Sequence, residues 1–233
     1  ILWLVKPFLF CYHEDIMQIV WKGQACFHIT AQRAKQEQVR MLIDPYEDSL
    51  GLKLPLQEAD IVLVTHDHFD HNNVKAAKGA PFVVATPGEY EAKGVFVQGI
   101  KTFHDDVQGK ERGGNIVYTI TAEGITLCHM GDFGQKELTP EQVEKIGNVH
   151  VLMIQVGGTY TINGKEAGKI ISQIEPAMVI PMHYGIPRLK FKLHTVDEFL
   201  REMGAKNIEP QQKLVIKAKD LPLEGTQLVL LEP

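Results

Sequence analysis

The sequence predicts an α/β fold with mixed rather than purely parallel sheets. Short apolar runs that read as buried strands alternate with helical segments, and hairpin-like pieces lie at both ends. No linker, internal repeat or low-complexity tract divides the 233 residues. A chain of that length can close one sizeable core.

The elements follow in order. The opening run from Ile1 to Cys11 is apolar but broken by Lys6 and Pro7. It is shorter than the roughly 20 apolar residues that span a bilayer, and it lacks the charged start and small-residue cleavage site of a secretory signal. Residues 1–16 are therefore set apart as an N-terminal extension, and the domain is expected over residues 17–233. Met17 to Val20 and Cys26 to Thr30 read as a hairpin turning near Gly23, and the polar stretch from Ala31 to Val39 as a long loop. Met41 to Ile43 is a short strand ended by Asp44 and Pro45, because proline cannot donate to a ladder. The four apolar residues Ile61 to Val64 read as a strand buried on both faces. Further strands are expected at Phe82–Ala85, Val95–Val97, Ile116–Thr121 and Ile125–His129, the last two joined by a tight turn at Ala122, Glu123 and Gly124.

Thr139 as N-cap, Pro140 in the first turn and Gln142 completing a capping box predict a helix to Ile146. A buried strand follows from Val149 to Val156, then a helix from Gly164 to Ile174, a strand from Met178 to Pro181 and a helix from Val196 to Met203 stopped by Gly204. Lys213–Lys217 and Thr226–Leu231 read as closing hairpin-like pieces.

The 24 basic against 29 acidic residues give a net charge of −5, which offers phosphate backbones no broad attraction and argues against a nucleic-acid partner. Cys11, Cys26 and Cys128 form no C-x-x-C pair and are odd in number, so they read as reduced thiols of a cytoplasmic protein. A small-molecule substrate is expected, with no membrane partner; self-association is left open.

Chemistry concentrates in T-H-D-H-F-D-H, Thr65 to His71, which begins where the buried strand at Ile61–Val64 ends. Loops at such strand ends carry ligands in α/β folds. His66 and His68, two residues apart, can aim both imidazoles at one metal, and Asp70 and His71 can reach a second beside it. Neutral imidazole and carboxylate suit zinc, and also manganese and iron. One cluster supplies too few ligands for two sites. His104, Asp132 and His183 each follow an apolar strand, and Gly131 and Gly134 flank Asp132.

H-x-H-x-D-H, a lone histidine, G-D and a late histidine together resemble the metallo-β-lactamase superfamily. The branch most similar is that of zinc-dependent hydrolases related to L-ascorbate-6-phosphate lactonase. That likeness is carried by W-K-G-Q-A-C-F at Trp21, I-D-P at Ile43, P-G-E-Y-E at Pro87 and H-D-D-V-Q-G-K-E-R-G-G-N at His104. H-M-G-D-F-G at His129, V-G-G-T-Y-T-I at Val156 and P-M-H-Y-G at Pro181 extend it, so that it covers Met17 to the C-terminus. The resemblance implies a four-layer αββα sandwich with its site at the edge between two sheets. It implies that His66, His68 and His104 hold one metal, that Asp70, His71 and His183 hold the other, and that Asp132 bridges. One position departs: where the family often has G-H-S-C-F, this chain has Gln24 in place of the histidine.

Two divalent cations about 3.5–4 Å apart share a hydroxide and polarise a carbonyl or phosphoryl oxygen. The expected activity is cleavage of an ester, lactone or phosphodiester, with zinc as the first choice of metal and manganese or iron as alternatives. Asp70 is expected to take up a proton as well as ligate, and Asp132 to act beside it in catalysis. His129 is a candidate to orient Asp132 from behind. Arg112, Asn115, Tyr160 and Tyr184 are candidate substrate contacts, Arg112 as a planar fork for an anion. Asp44 is expected to brace its strand end without touching metal. The competing readings are an iron-dependent oxidoreductase on the same scaffold, a nucleic-acid-processing protein and a non-catalytic scaffold.

Overall fold

The computed structural model describes residues 15–32, 37–205 and 208–233. Most of the expected N-terminal extension, with Cys11, lies outside them. The chain runs β1 (Ile16–Trp21), β2 (Phe27–Gln32), β3 (Gln38–Ile43), β4 (Gln57–Glu58), β5 (Ile61–Leu63), β6 (Ala77–Lys78) and β7 (Phe82–Val84). It continues with β8 (Gly88–Ala92), β9 (Val95–Phe103), β10 (Gly114–Ala122), β11 (Ile125–His129), α1 (Pro140–Ile146), β12 (Val151–Gln155) and α2 (Gly164–Ile174). β13 (Met178–Met182), α3 (Asp197–Glu202), β14 (Leu214–Ile216) and β15 (Gln227–Leu228) complete it.

Two mixed sheets form. One has the order β14-β1-β2-β3-β5-β7, the other β15-β13-β12-β11-β10-β9-β8. Burial alternates along β1 and β2, the period-two pattern of a strand with one face in the core. Met17, Ile19, Phe27, Ile29, Met41 and Leu63 of the first sheet share a core with Val97, Val117, Ile120, Leu127 and Met153 of the second. β12 and β13 are buried along their whole length. The helices supply that second cover: Ala167, Ile170 and Ile171 of α2 and Phe199 of α3 join the same core. On the outer face of the first sheet, Leu42, Val62 and Val64 pack under Tyr46 and Leu50. Single 3-10 turns at Asp48–Leu50 and Val74–Ala76 form that side of the sandwich, in place of a long helix.

The capping box at α1 is present as read, with the Thr139 side chain accepting from the Gln142 N–H and the Gln142 side chain accepting from the Thr139 N–H. Two expectations are corrected. The stretch 31–39 is not one long loop, because β2 runs to Gln32 and β3 starts at Gln38, their polar residues lying on a solvated face. The last two strands are no hairpin: β14 pairs antiparallel with β1 while β15 pairs parallel with β13 in the other sheet. β8 pairs with β9 and carries no run of apolar residues, so no sequence signal announced it.

The direction of the strands places the site. β9 and β11 each run antiparallel to β10, so they point the same way, and β12 and β13 run parallel to β11. The C-terminal ends of β9, β11 and β13 therefore share one edge. Tyr118 of β10 ties β5 to that edge: its hydroxyl donates to the carbonyl of Val64 at 2.9 Å, and Ile116 N–H donates to Thr65 O at 2.9 Å.

Away from the site, Asp60 clamps the two sheets. Its Oδ2 accepts from Arg40 N (2.9 Å) and Nε (3.2 Å) of β3, and its Oδ1 from Lys93 Nζ (2.7 Å) at the β8–β9 turn. Burial would raise the carboxyl, but Lys93 and Arg40 outweigh it and hold it at about 2, below the ordinary 3.8. A carboxyl held low stabilises the fold above the unfolded value and loses that contribution as pH falls through the folded one. Asp60→Asn is therefore expected to cost about 1 kcal/mol near neutrality, since solvent screens the exposed Lys93. The difference should shrink steadily between pH 4 and pH 2. Urea denaturation of both proteins across that range checks it, and a pH-independent difference would count against it.

Candidate metal centre

Thr65 to His71 forms a closed turn after β5, with His71 and Asn72 N–H groups both donating to His68 O at 2.9 and 3.0 Å. Asp44, at the end of β3, fastens this turn. Its Oδ1 accepts from Thr65 N (2.8 Å), and its Oδ2 accepts from Thr65 Oγ1 (2.7 Å) and His71 Nδ1 (2.8 Å). Because the Thr65 hydroxyl donates to Asp44, it accepts from His66 Nδ1 at 3.0 Å. Both histidines then hold a proton on Nδ1 and turn Nε2 inward, the atom left for a cation. Asp44 thus braces the strand end as expected and also sets two imidazoles, a role its sequence neighbourhood did not reveal.

The seven residues singled out as metal ligands converge in two groups. His66, His68 and His104 offer ligand atoms within 4.8 Å of one another, and Asp70, His71, Asp132 and His183 form a second group on the same criterion. Asp132 reaches into both: its Oδ2 lies 3.1 Å from His104 Nε2 and 3.3 Å from His71 Nε2, and its Oδ1 lies 3.4 Å from His183 Nε2. His104 follows β9, Asp132 follows β11 and His183 follows β13, so the shared strand direction brings them together.

Backbone packing at Asp132 leaves no room for side chains beside it. A Cβ on Gly131 (φ +57°) would lie 2.4 Å from Asn115 Oδ1, and one on Gly134 2.4 Å from the His104 carbonyl carbon. Asn115 and His129 build this loop. Asn115 accepts from Asp132 N at 2.9 Å and donates to Met130 O and Thr102 Oγ1. His129 accepts from Gly131 N at 3.1 Å and donates through Nε2 to Ala25 O at 2.8 Å. His129 therefore positions Asp132 through the backbone, with no contact to its carboxylate.

Burial and charge shape this cluster. Burial would raise the Asp132 carboxyl, but His183 and His71 hold it well below the usual range, and Asp70 is held at about 2 against the same opposing effect. Burial would lower His71, yet Asp132 and Asp44 raise it well above an ordinary imidazole. His66 is pushed down to about 2 by burial and by His71, and burial likewise lowers His68 and His183. Three carboxylates surrounding buried His71 call for a positive charge. His71 Nε2 and Asp132 Oδ1 are buried and make no hydrogen bond. Such orphaned atoms facing one point fit a divalent cation, whose ligands are neutral imidazole and ionised carboxylate.

Both groups open on a pocket of about 450 Å³, lined by His68, Asp70, His104, Asp132 and His183 with Phe69, Arg112, Tyr160 and Phe191 around them. Arg112 lies over the Tyr160 ring at 5.1 Å, and Phe191 packs edge-on against Phe69 and Tyr160. The loop that carries Arg112 is wound around Asp105, whose carboxylate accepts backbone N–H groups from Val107, Gly109, Glu111 and Arg112 at 2.6–3.0 Å. Two expected substrate contacts do not face this pocket. Asn115 is buried with its amide spent on the scaffold. Tyr184 stacks on Trp21 at 5.0 Å, its hydroxyl donating to Leu231 O, and lines a separate cavity near the C-terminus. Asp105 was not expected at the site; Gln24 was marked as the departure from the family's G-H-S-C-F, and the structure places its side chain among the ligands.

Among the described residues no helix is long and apolar enough to cross a membrane. The family model for the beta-lactamase superfamily domain matches residues 18–183. A metal-dependent hydrolase from Thermococcus onnurineus is 29% identical over 199 residues, 72% of this chain and 85% of that protein. A crystal structure from Thermotoga maritima, described as a Zn-dependent hydrolase of the metallo-beta-lactamase superfamily, is 36% identical. It superposes with a TM-score of 0.71 over 92% of this chain and 98% of its own. A metallo hydrolase from Ignicoccus hospitalis shares the fold, with a TM-score of 0.63 at 19% identity over 87% of this chain and 99% of its own.

Proposed function

The chain belongs to the beta-lactamase superfamily domain family, and from that premise we propose that it is a metal-dependent hydrolase cleaving an ester, lactone or phosphodiester bond in a small anionic substrate. The observation that carries this reading is the meeting of both ligand groups, through Asp132, on the floor of a pocket whose wall holds Arg112. His66, His68 and His104 would hold one cation, with zinc best suited to three imidazoles. Asp70, His71 and His183 would hold the other, with Asp132 shared. Bound there, the two cations supply a water acidified toward neutrality and a Lewis acid for the scissile oxygen.

The chain's own residues do the rest. Asp44 and Thr65 engage the Nδ1 atoms of His71 and His66, which leaves their Nε2 atoms to face a cation. The Asp70 carboxylate, which lines the pocket, takes the proton of the attacking water and returns it to the leaving oxygen. Phe69, Tyr160 and Phe191 dry the pocket mouth, which strengthens each charge inside it. Arg112, flattened against Tyr160 and fixed by the Asp105-bound loop, presents its fork to a phosphate or carboxylate of the substrate. An anionic cyclic ester suits this arrangement, in line with the motif likeness to the ascorbate-6-phosphate lactonase branch.

Metal analysis paired with hydrolysis of lactones, phosphodiesters and neutral esters tests the reading. Two divalent cations per chain and chelator-sensitive hydrolysis are expected. Iron with dioxygen-dependent turnover and no hydrolysis would replace it with the oxidoreductase reading. Arg112→Ala is expected to raise KM for anionic substrates by about tenfold, leaving neutral esters and kcat little changed. Equal effects on both substrate classes would remove Arg112 from the anion contact.

A further inference from the structure

Gln24 stands at the turn between β1 and β2, fully buried, at φ +53°. Two bonds to its carbonyl hold it there: Trp21 Nε1 donates at 2.9 Å and His183 N–H at 3.0 Å. Its side chain enters the second ligand group, with the amide nitrogen 3.0 Å from Asp70 Oδ2 and 2.6 Å from His183 Nε2. The other end of the amide, Oε1, is buried and has no partner.

We propose that Gln24 is a fifth ligand of the second cation site through its amide oxygen, biasing that site toward a six-coordinate cation such as Mn²⁺ over tetrahedral Zn²⁺. The inference rests on reading Asp70, His71, Asp132 and His183 as a cation site. The two ends of a glutamine amide have the same shape, and partners decide which faces where. Without a cation the NH₂ faces Asp70. With one, that orientation aims N–H dipoles at the positive charge and contests the His183 lone pair, whereas the half-turned amide supplies a carbonyl oxygen. The spacing fits: neighbouring ligands of an octahedral cation with bonds of about 2.1 Å lie about 3 Å apart. Three oxygens and two imidazole nitrogens exceed the four ligands of a closed zinc site and leave a sixth position for water or substrate.

The test titrates the metal-free full chain with Mn²⁺ alone and with Zn²⁺ alone, by calorimetry and by Mn²⁺ paramagnetic resonance, in wild type, Gln24→Ala and Gln24→Glu. Gln24→Ala is expected to weaken Mn²⁺ at the second site by about tenfold or more, with Zn²⁺ at the His66, His68 and His104 group unchanged. Gln24→Glu, of the same shape and keeping an oxygen in place, is expected to hold Mn²⁺ at least as tightly as wild type. Retained binding at the first group reports that a variant is folded. Gln24→Ala equal to wild type, or Gln24→Glu as weak as Gln24→Ala, would overturn the role of Gln24 while leaving the two-cation reading intact. A wild type that takes up no second equivalent would overturn that reading and the inference with it.

Discussion

Replacing Asp132 with alanine is expected to remove cation and turnover together, with hydrolysis falling by about a thousandfold. Asp132 is the one carboxylate that stands within 3.1–3.4 Å of histidines from both ligand groups. Without it the His66, His68 and His104 group keeps only neutral imidazoles, and the second group loses one of its two carboxylates. The loop itself survives the change, because its anchor is the backbone N–H of Asp132 on Asn115 Oδ1. The variant should therefore fold, and circular dichroism beside metal analysis separates lost chemistry from lost structure. His68→Ala, which touches the first group alone and is exposed, is the comparison: it should abolish turnover yet keep one cation. Undiminished turnover in Asp132→Ala would end the dinuclear proposal.

The second large effect is expected at Asp44, which touches no proposed substrate position. Asp44→Ala strips acceptors from Thr65 N–H, the Thr65 hydroxyl and His71 Nδ1 at a fully buried place. Its cost should be about 3 kcal/mol. Asp44→Asn is the sharper variant. Its oxygen still accepts from Thr65 N–H, but its NH₂ now faces His71 Nδ1, which must become an acceptor and move its proton to Nε2. That proton then points at the second ligand group. Asp44→Asn should thus stay close to wild type in thermal stability while binding its cations 10- to 100-fold more weakly, as outer partners of metal-binding histidines do on mutation. Chelator competition measures the affinity. Wild-type affinity in Asp44→Asn would show that the carboxylate serves the fold alone.

Helices and buried strands were legible because their signals are local. Thr139, Pro140 and Gln142 spell a helix start without help from the rest of the chain, and Ile61 to Leu63 announces its own burial. The ligand set was legible for a related reason: six polar residues in seven positions, followed by donors at later strand ends, have few structural explanations. What failed depends on partners distant in sequence. The first half of β3, Gln38 to Arg40, looks polar because one face meets solvent, and only its register against β2 makes it strand. β14 and β15 are close in the chain but belong to different sheets. Tyr184 follows His183, yet His183 stands at φ +52° in the bend after β13, and the chain there carries Tyr184 onto Trp21 and away from the pocket. Gln24 lies 159 positions from His183, and no local rule links them.

One consequence reaches past catalysis. Four of the seven proposed ligands follow β5 of one sheet and three follow strands of the other, so an ion seated among Asp70, His71, Asp132 and His183 would rivet two halves that otherwise meet through greasy packing and a few tethers such as Tyr118. The unravelled polypeptide cannot offer that grip. Occupancy at a hundred times the dissociation constant would add about 2.7 kcal/mol to folding. Supply of metal and durability of the fold would then rise and fall together.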